Sequence, residues 1–76
     1  MTRYYFNVLD GVAQPDRDGV DLPDMQAVWA QAIKTTGEML RDVEGPLFPD
    51  EWIMEVNDEA GRLVVFLRLL ATEHAP

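Results

Sequence analysis

Aromatic and β-branched residues dominate Arg3 to Leu9, with Tyr4, Phe6 and Val8 on one face, and this period of two predicts a β-strand. Asp10-Gly11 closes it with a turn signal. Residues Val12 to Leu22 are interrupted by Asp, Gly and Pro. They read either as a plain loop or as a wide hairpin with a short return strand near Val20–Leu22. The period then changes. From Met25 onward, Met25, Val28, Trp29, Ala32, Ile33, Thr36, Met39, Leu40 and Val43 fall in one stripe at about 100° per residue, the signature of an amphipathic helix. Gln31, Lys34, Glu38, Arg41 and Asp42 take the other side. Asp24 is the expected N-cap, since its carboxylate can accept from unpaired first-turn N–H groups and its charge suits the positive end of the helix dipole. Gly37 costs about 1 kcal/mol relative to Ala in such a helix, which suggests close approach to a sheet. Gly45-Pro46 supplies the stop signal, and Leu47-Phe48-Pro49 reads as a loop that lids one end of the core.

Glu51–Asn57 and Arg62–Leu70 form a predicted hairpin around Asp58-Glu59-Ala60-Gly61, with Gly61 supplying positive φ. A slip of one residue would turn every side chain to the other face, so register decides what the hairpin buries. Setting Val56 opposite Leu63 places Trp52, Met54, Val56, Leu63, Val65, Leu67 and Leu69 on one apolar face that suits the helix stripe. Trp29 and Trp52 then read as core residues on the two packing faces. The expected architecture is α+β: an antiparallel sheet of three to four strands with one amphipathic helix packed on one face, in the order β-(β)-α-β-β. A single domain covers 1–76, with an ordered core of about 3–70 and a tail at 71–76.

The other sheet face changes the picture. Its predicted members are Tyr5, Asn7, Ile53, Glu55, Val64, Phe66, Arg68 and Leu70, more apolar than a solvent-facing sheet normally is. Two explanations compete. Either the loop after the first strand or the C-terminal tail folds over this face, or it is an interface. Tyr5, Ile53, Val64, Phe66, Arg68 and Leu70 are the candidate interface residues, a mixture of aromatics, aliphatics and Arg of the kind enriched at protein contacts.

Composition narrows the chemistry. A chain of 76 residues buries only about 60% of its unfolded surface, so its core is small, and disulfides, metals or association are the usual supplements. There is no cysteine, which rules out disulfides and cysteine–zinc sites and is compatible with a reducing compartment. Association remains. Fourteen Asp and Glu against six Lys and Arg give a net charge of −8, which argues against direct nucleic-acid binding and against anionic membrane surfaces. No apolar signal-peptide core follows Met1, and the run from Leu63 to Ala71, broken by Arg68, is far below the ~20 residues that span a bilayer. The expected location is cytoplasmic.

With no Ser and no Cys, serine and cysteine nucleophiles are excluded. Lys34, the only lysine, lies on the polar helix face, and His74, the only histidine, lies in the tail. Two acidic groupings are candidates for chemistry. Asp10, Asp16, Asp18, Asp21 and Asp24 crowd the loop after the first strand, but an EF-hand alignment on Asp16 and Asp18 puts Gln14 first and Met25 at the bidentate position. They read better as turn and cap residues. Asp50, Glu51, Glu55, Asp58 and Glu59 flank the next strand and read better as charge protecting a sheet edge than as an acid–base pair. A ligand pocket of about 300 Å³ is not expected in so small a layer. No cofactor, metal or catalytic residue is expected.

The order Arg3-Tyr4-Tyr5-Phe6-Asn7-Val8, Asp10-Gly11, Leu22-Pro23-Asp24, Glu51-Trp52, Glu55-Val56-Asn57-Asp58-Glu59, then Gly61-Arg62 before Val65 and Leu67-Arg68, resembles one family. It is an uncharacterised family of small alphaproteobacterial proteins, frequent in rhizobia and methylobacteria, known as a domain of unknown function. The resemblance covers Arg3 to about Leu70. It implies a stand-alone soluble domain with strand, helix, hairpin order, and carries over no catalytic residue. Phe66 departs from the family's pattern, where a polar residue such as Thr is usual.

The expected role is therefore a non-catalytic protein-interaction or self-associating module, with a second copy or another protein as partner. One alternative is an acidic partner of a basic protein, antitoxin-like or a nucleic-acid mimic. Another is a small ligand-binding or enzymatic domain using acidic residues.

Overall fold

The computed structural model describes residues 1–42, 51–70, 72, 74 and 75. The chain runs β1 (Thr2–Leu9), β2 (Ala13–Gln14), β3 (Val20–Leu22), α1 (Met25–Arg41), β4 (Glu51–Asp58) and β5 (Leu63–Leu70). All five strands join one antiparallel sheet in the order β2-β1-β4-β5, with β3 also pairing β1. The class is α+β, as the periodicities indicated. The return strand at Val20–Leu22 is present, and Ala13–Gln14 adds a second short piece.

β2 and β3 divide the outer edge of β1 between them. Val8 and Leu9 pair with Gln14 and Ala13, and Thr2, Arg3 and Tyr4 pair with Leu22, Asp21 and Val20. Phe6 lies in the gap, and its N–H donates to the Asp16 carboxylate at 3.0 Å. A side chain thus takes the place of a strand where the backbone loops away, which keeps a part-buried amide paired.

The inner face is built in rows. Phe6, Val56 and Val65 lie opposite one another, as do Val8, Met54 and Leu67, then Trp52 and Leu69. Met54 and Val56 are completely buried, and Val28 and Ala32 of α1 close over them. Each such side chain contributes about 1.5–3 kcal/mol by leaving water. Asp24 caps α1 as expected, accepting from the Ala27 N–H at 2.9 Å.

The register differs from the expectation. Val56 faces Val65, Leu63 pairs with Asn57, and a bulge leaves Val64 without an opposite residue. Leu63 is therefore 54% exposed, whereas Val64 turns half-buried against the core. An added residue in one strand changes the parity of everything before it, and hydrophobicity could not reveal this because Leu63, Val64 and Val65 are all apolar. The turn itself forms as expected, with Gly61 at φ +83°.

The helix also differs. Its buried residues are Val28 and Ala32, while Trp29 is 48% exposed and Ile33 62% exposed. Trp29 is therefore not core. Gln31 and Thr35 on one side of the stripe are half-buried, whereas Trp29 and Ile33 on the other face solvent. Gly37 has open space around its α-carbon, so close approach to the sheet does not explain it. A further correction concerns the edges: β4 is interior, between β1 and β5, so its acids do not guard an edge strand. The stop signal at Gly45-Pro46 and the lid at Leu47-Phe48-Pro49 lie outside the described residues, as do residues 71, 73 and 76 of the tail.

Candidate functional site

On the outward face, cross-strand pairing sets the neighbours. One row runs Ala13, Leu9, Ile53 and Arg68; the next runs Asn7, Glu55 and Phe66; a third runs Tyr5, Asn57 and Leu63. Phe66 is 52% exposed, and Ile53 is half-buried on the adjacent row. Leu70 stands 57% exposed at the end of β5. Of the six candidate interface residues, Ile53, Phe66 and Arg68 are brought together at the β4–β5 side, and Leu70 lies beyond them. Tyr5 is separated from this group by the polar row of Asn7 and Glu55. Val64 leaves the face through the bulge.

The pattern missed two members. Leu9 shares the parity of Tyr5 and Asn7 and ends β1 on the outward side, 43% exposed. That parity was readable had the strand been followed to its last residue. Leu63 joins through the bulge, for which the sequence carries no signal.

Tyr5 is covered by the chain itself. The loop from Pro15 to Gly19 turns so that a β-carbon on Gly19 would fall 2.9 Å from the Tyr5 ring and 2.8 Å from Arg3 Cγ. With φ at +72° as well, only glycine fits there without displacement. Arg3 anchors the same loop, donating to the Asp18 carbonyl and forming a two-pronged pair with Asp21, Nε to Oδ1 at 3.1 Å and Nη2 to Oδ2 at 3.0 Å. The loop after β1 therefore covers one end of the outward face and leaves Leu9, Ile53, Phe66 and Leu70 uncovered by it.

Two concavities flank β1. A shallow one of 230 Å³ lies on the outward side, with Leu9, Ala13, Pro15 and Ile53 in its wall. A groove of 360 Å³ lies between sheet and helix, lined by Phe6, Val8, Asp16, Gln31, Thr35 and Met39 among others. The groove exceeds the size expected of so small a domain. The narrow helix contact opens it. Its one carboxylate, Asp16, is engaged by the N–H groups of Phe6, Asp18 and Gly19 at 3.0–3.1 Å.

Several acids of the two groupings bind groups of this chain. Asp10 accepts from Val12 N–H and from the Gln14 amide, Asp21 pairs with Arg3, and Asp24 caps α1. Asp58, buried at the end of β4, accepts from the N–H groups of Ala60 and Arg62 and from Arg62 Nε, all at 2.9 Å. Among the described residues no three acidic or histidine side chains are grouped to hold a metal ion.

Two carboxyls titrate below the ordinary aspartate value of 3.8. At Asp16 burial pushes upward, but the N–H donors of Phe6, Gly19 and Asp18 together outweigh it. At Asp58 the Arg62 N–H is the largest cause and lowers the pKa; burial opposes it, and the Arg62 guanidinium and Ala60 N–H add to the lowering. A carboxyl with a depressed folded pKa contributes stability that is present above its unfolded pKa and lost as pH falls through the folded one. Thermal midpoints should therefore fall on acidification below about pH 4, and Asp16→Asn and Asp58→Asn should each have a shallower acid slope than the parent. Equal slopes in a pH series of melting curves would contradict the assignment.

No described helix is long and apolar enough to cross a membrane. No curated protein and no solved structure matches the chain. A family model does, over residues 3–71, which is nearly the whole sequence and leaves out only Thr2 of the described strands and helix. The chain belongs to the family described as Domain of unknown function (DUF6894).

Proposed function

We propose that this domain is a non-catalytic protein-interaction or self-associating module of the cytoplasm that works through the outward sheet face. The observation that carries this reading is the apolar group on that face, exposed at Leu9, Phe66 and Leu70 and half-buried at Ile53, beside Tyr5, against which Gly19 and its loop pack. An apolar patch kept open on a marginal domain favours a contact with another protein. The acidic residues point away from the two alternatives. Asp10, Asp16, Asp21, Asp24 and Asp58 each satisfy backbone or side-chain groups of this chain, which favours a structural use for these five over the two alternatives. The absence of cysteine is compatible with the reducing cytoplasm.

The test is a charge placed on the patch. Leu9→Asp combined with Phe66→Asp should abolish association, seen by light scattering and by affinity capture, while far-UV circular dichroism keeps the parent's helix signal. If the parent is monomeric at high concentration and captures nothing, the reading is wrong.

A further inference from the structure

We propose that the outward sheet face binds a protein partner through one arginine side chain. The aliphatic stem lies in the concavity beside Leu9, Ala13, Pro15 and Ile53, and the guanidinium sits between the Glu55 carboxylate and the Phe66 ring. This rests on the reading of the domain as an interaction module, and it names the chemistry of the partner.

Glu55 is the reason for a cation. It lies between Asn7 and Phe66 in its row, among the apolar residues of the face, and its side chain is exposed. Asn7 Nδ2 reaches its backbone carbonyl at 3.4 Å, but among the described residues no donor meets its carboxylate. That sets it apart from Asp10, Asp16, Asp21, Asp24 and Asp58, each of which binds a group of this chain. Arg68, also on this face, has an interaction within the chain. A partner that covers Leu9, Ile53 and Phe66 takes the Glu55 carboxylate out of water as well. Burying an unpaired charge is strongly unfavourable, so the partner has to bring a positive charge to that point. Two copies of a chain at −8 repel each other, whereas the same field draws a cationic segment in. The partner need not be basic overall; one cationic side chain among apolar ones matches this face.

Shape selects arginine. The Phe6 N–H points away from β4, toward Asp16, so Phe6 and Val56 face each other without exchanging hydrogen bonds. Val56 bonds across to Val65 instead. By alternation Glu55 and Phe66 are a narrow pair, about 4.5 Å apart at their α-carbons, with their side chains close together. A carboxylate thus stands beside a ring that is 52% exposed. A planar guanidinium can donate two N–H groups to the carboxylate and stack on the ring at once. An ammonium, a compact and strongly hydrated point charge, makes neither contact as well. The concavity adjoins Glu55 on the β1 side, and its 230 Å³ falls below the roughly 300–1,000 Å³ of clefts that enclose a small molecule. Its apolar wall suits the methylene stem of one side chain, which lies along such a surface with its charged head at the rim.

Titration of the isotope-labelled whole chain with the blocked tripeptide acetyl-Leu-Arg-Leu-amide, followed through backbone amide chemical shifts, tests this. The shifts should saturate at millimolar peptide and centre on Leu9, Ile53, Glu55 and Phe66. The same peptide with citrulline, the neutral isostere of arginine, should bind about tenfold more weakly, and the lysine peptide about threefold. Glu55→Gln should weaken the arginine peptide about fivefold. Phe66→Leu, which keeps an apolar surface but removes the ring, should weaken it about threefold. Both positions are exposed, so both variants should keep the parent's circular dichroism. No saturable shifts, a citrulline peptide that binds as well as the arginine one, or a Glu55→Gln protein with the parent's affinity each overturns the inference. If Leu9→Asp with Phe66→Asp abolishes association while no arginine peptide binds the parent, the face reading stands and the arginine is removed. A dimeric parent that the arginine peptide dissociates places a cation of a second copy in the site, and overturns the choice of partner.

Discussion

Met54→Ala should destabilise the domain by about 2–5 kcal/mol, the range for truncating a buried Met, Leu or Ile to Ala. Met54 is the largest completely buried side chain, central in β4, with Val8 opposite it on one side and Leu67 on the other. Its sulfur also receives the Thr36 hydroxyl of α1 at 3.9 Å, so it joins sheet to helix. A domain of 76 residues has a total stability of about 4–11 kcal/mol, by the usual range per residue. The substitution therefore removes a large fraction of the whole. Because the contact stripe of α1 is confined to a few residues, little else can move in to fill the space. Met54→Leu, which nearly conserves volume, should cost less than about 1.5 kcal/mol. Urea denaturation followed by circular dichroism measures both, and an Ala variant within about 1 kcal/mol of the parent would show that the helix collapses onto the gap.

What the sequence made legible was whatever depended on alternation within one element. Tyr4, Phe6 and Val8 alternate with polar neighbours, and the structure buries all three. Asp24 and Gly61 were equally readable, because cap and turn chemistry are local, whereas Val12–Leu22 read as either a loop or a return strand and the structure decides for the strand at Val20–Leu22. Failures came where the answer depended on another element. The stripe from Met25 to Val43 is wide, and a wide stripe does not say which part meets the sheet. The structure uses the Val28–Ala32 side and leaves Trp29 and Ile33 out, a choice made by where β1 and β4 stand rather than by the helix. Strand order was not readable either, and with it went the identity of the edge. Asp50, Glu51, Glu55, Asp58 and Glu59 read as edge protection around β4, yet β4 is interior and, among the described residues, the apolar β5 ends the sheet.

The outward face shows the same division. Ile53 and Phe66 were found by parity, Val64 was lost to a bulge invisible in an apolar run, and Leu9 required only that the alternation be carried to the strand's end. The covering of Tyr5 could not be foreseen from composition. It depends on Gly19 meeting Arg3 and Tyr5 from a loop whose path is set by one carboxylate, Asp16.

Asp16→Ala should therefore have the second large effect, about 2–3 kcal/mol, or a fall of roughly 10–20 °C in thermal midpoint. The carboxylate accepts from three backbone N–H groups, and hydrogen bonds to a charged acceptor contribute about 1.5–3 kcal/mol each. They do not add in full. The N–H groups of Asp18 and Gly19 belong to a surface loop and can turn to water once the carboxylate is gone. The Phe6 N–H is not free to turn, because Phe6 is a buried residue of β1 held by β4, between the stretches of β1 that pair with β2 and with β3. Its loss of a partner sets the larger part of the effect. Asp16→Asn keeps one acceptor oxygen and replaces the other with a donor, so it can serve either Phe6 or the loop and should fall between the parent and Ala. Amide exchange separates the two contributions. In Asp16→Ala the Phe6 N–H should exchange far faster than the N–H groups of Tyr5 and Asn7, which bond to β4 and keep their partners. If Phe6 remains as protected as its neighbours, water has replaced the carboxylate in the gap, and the effect of the substitution would have to come from the loop alone.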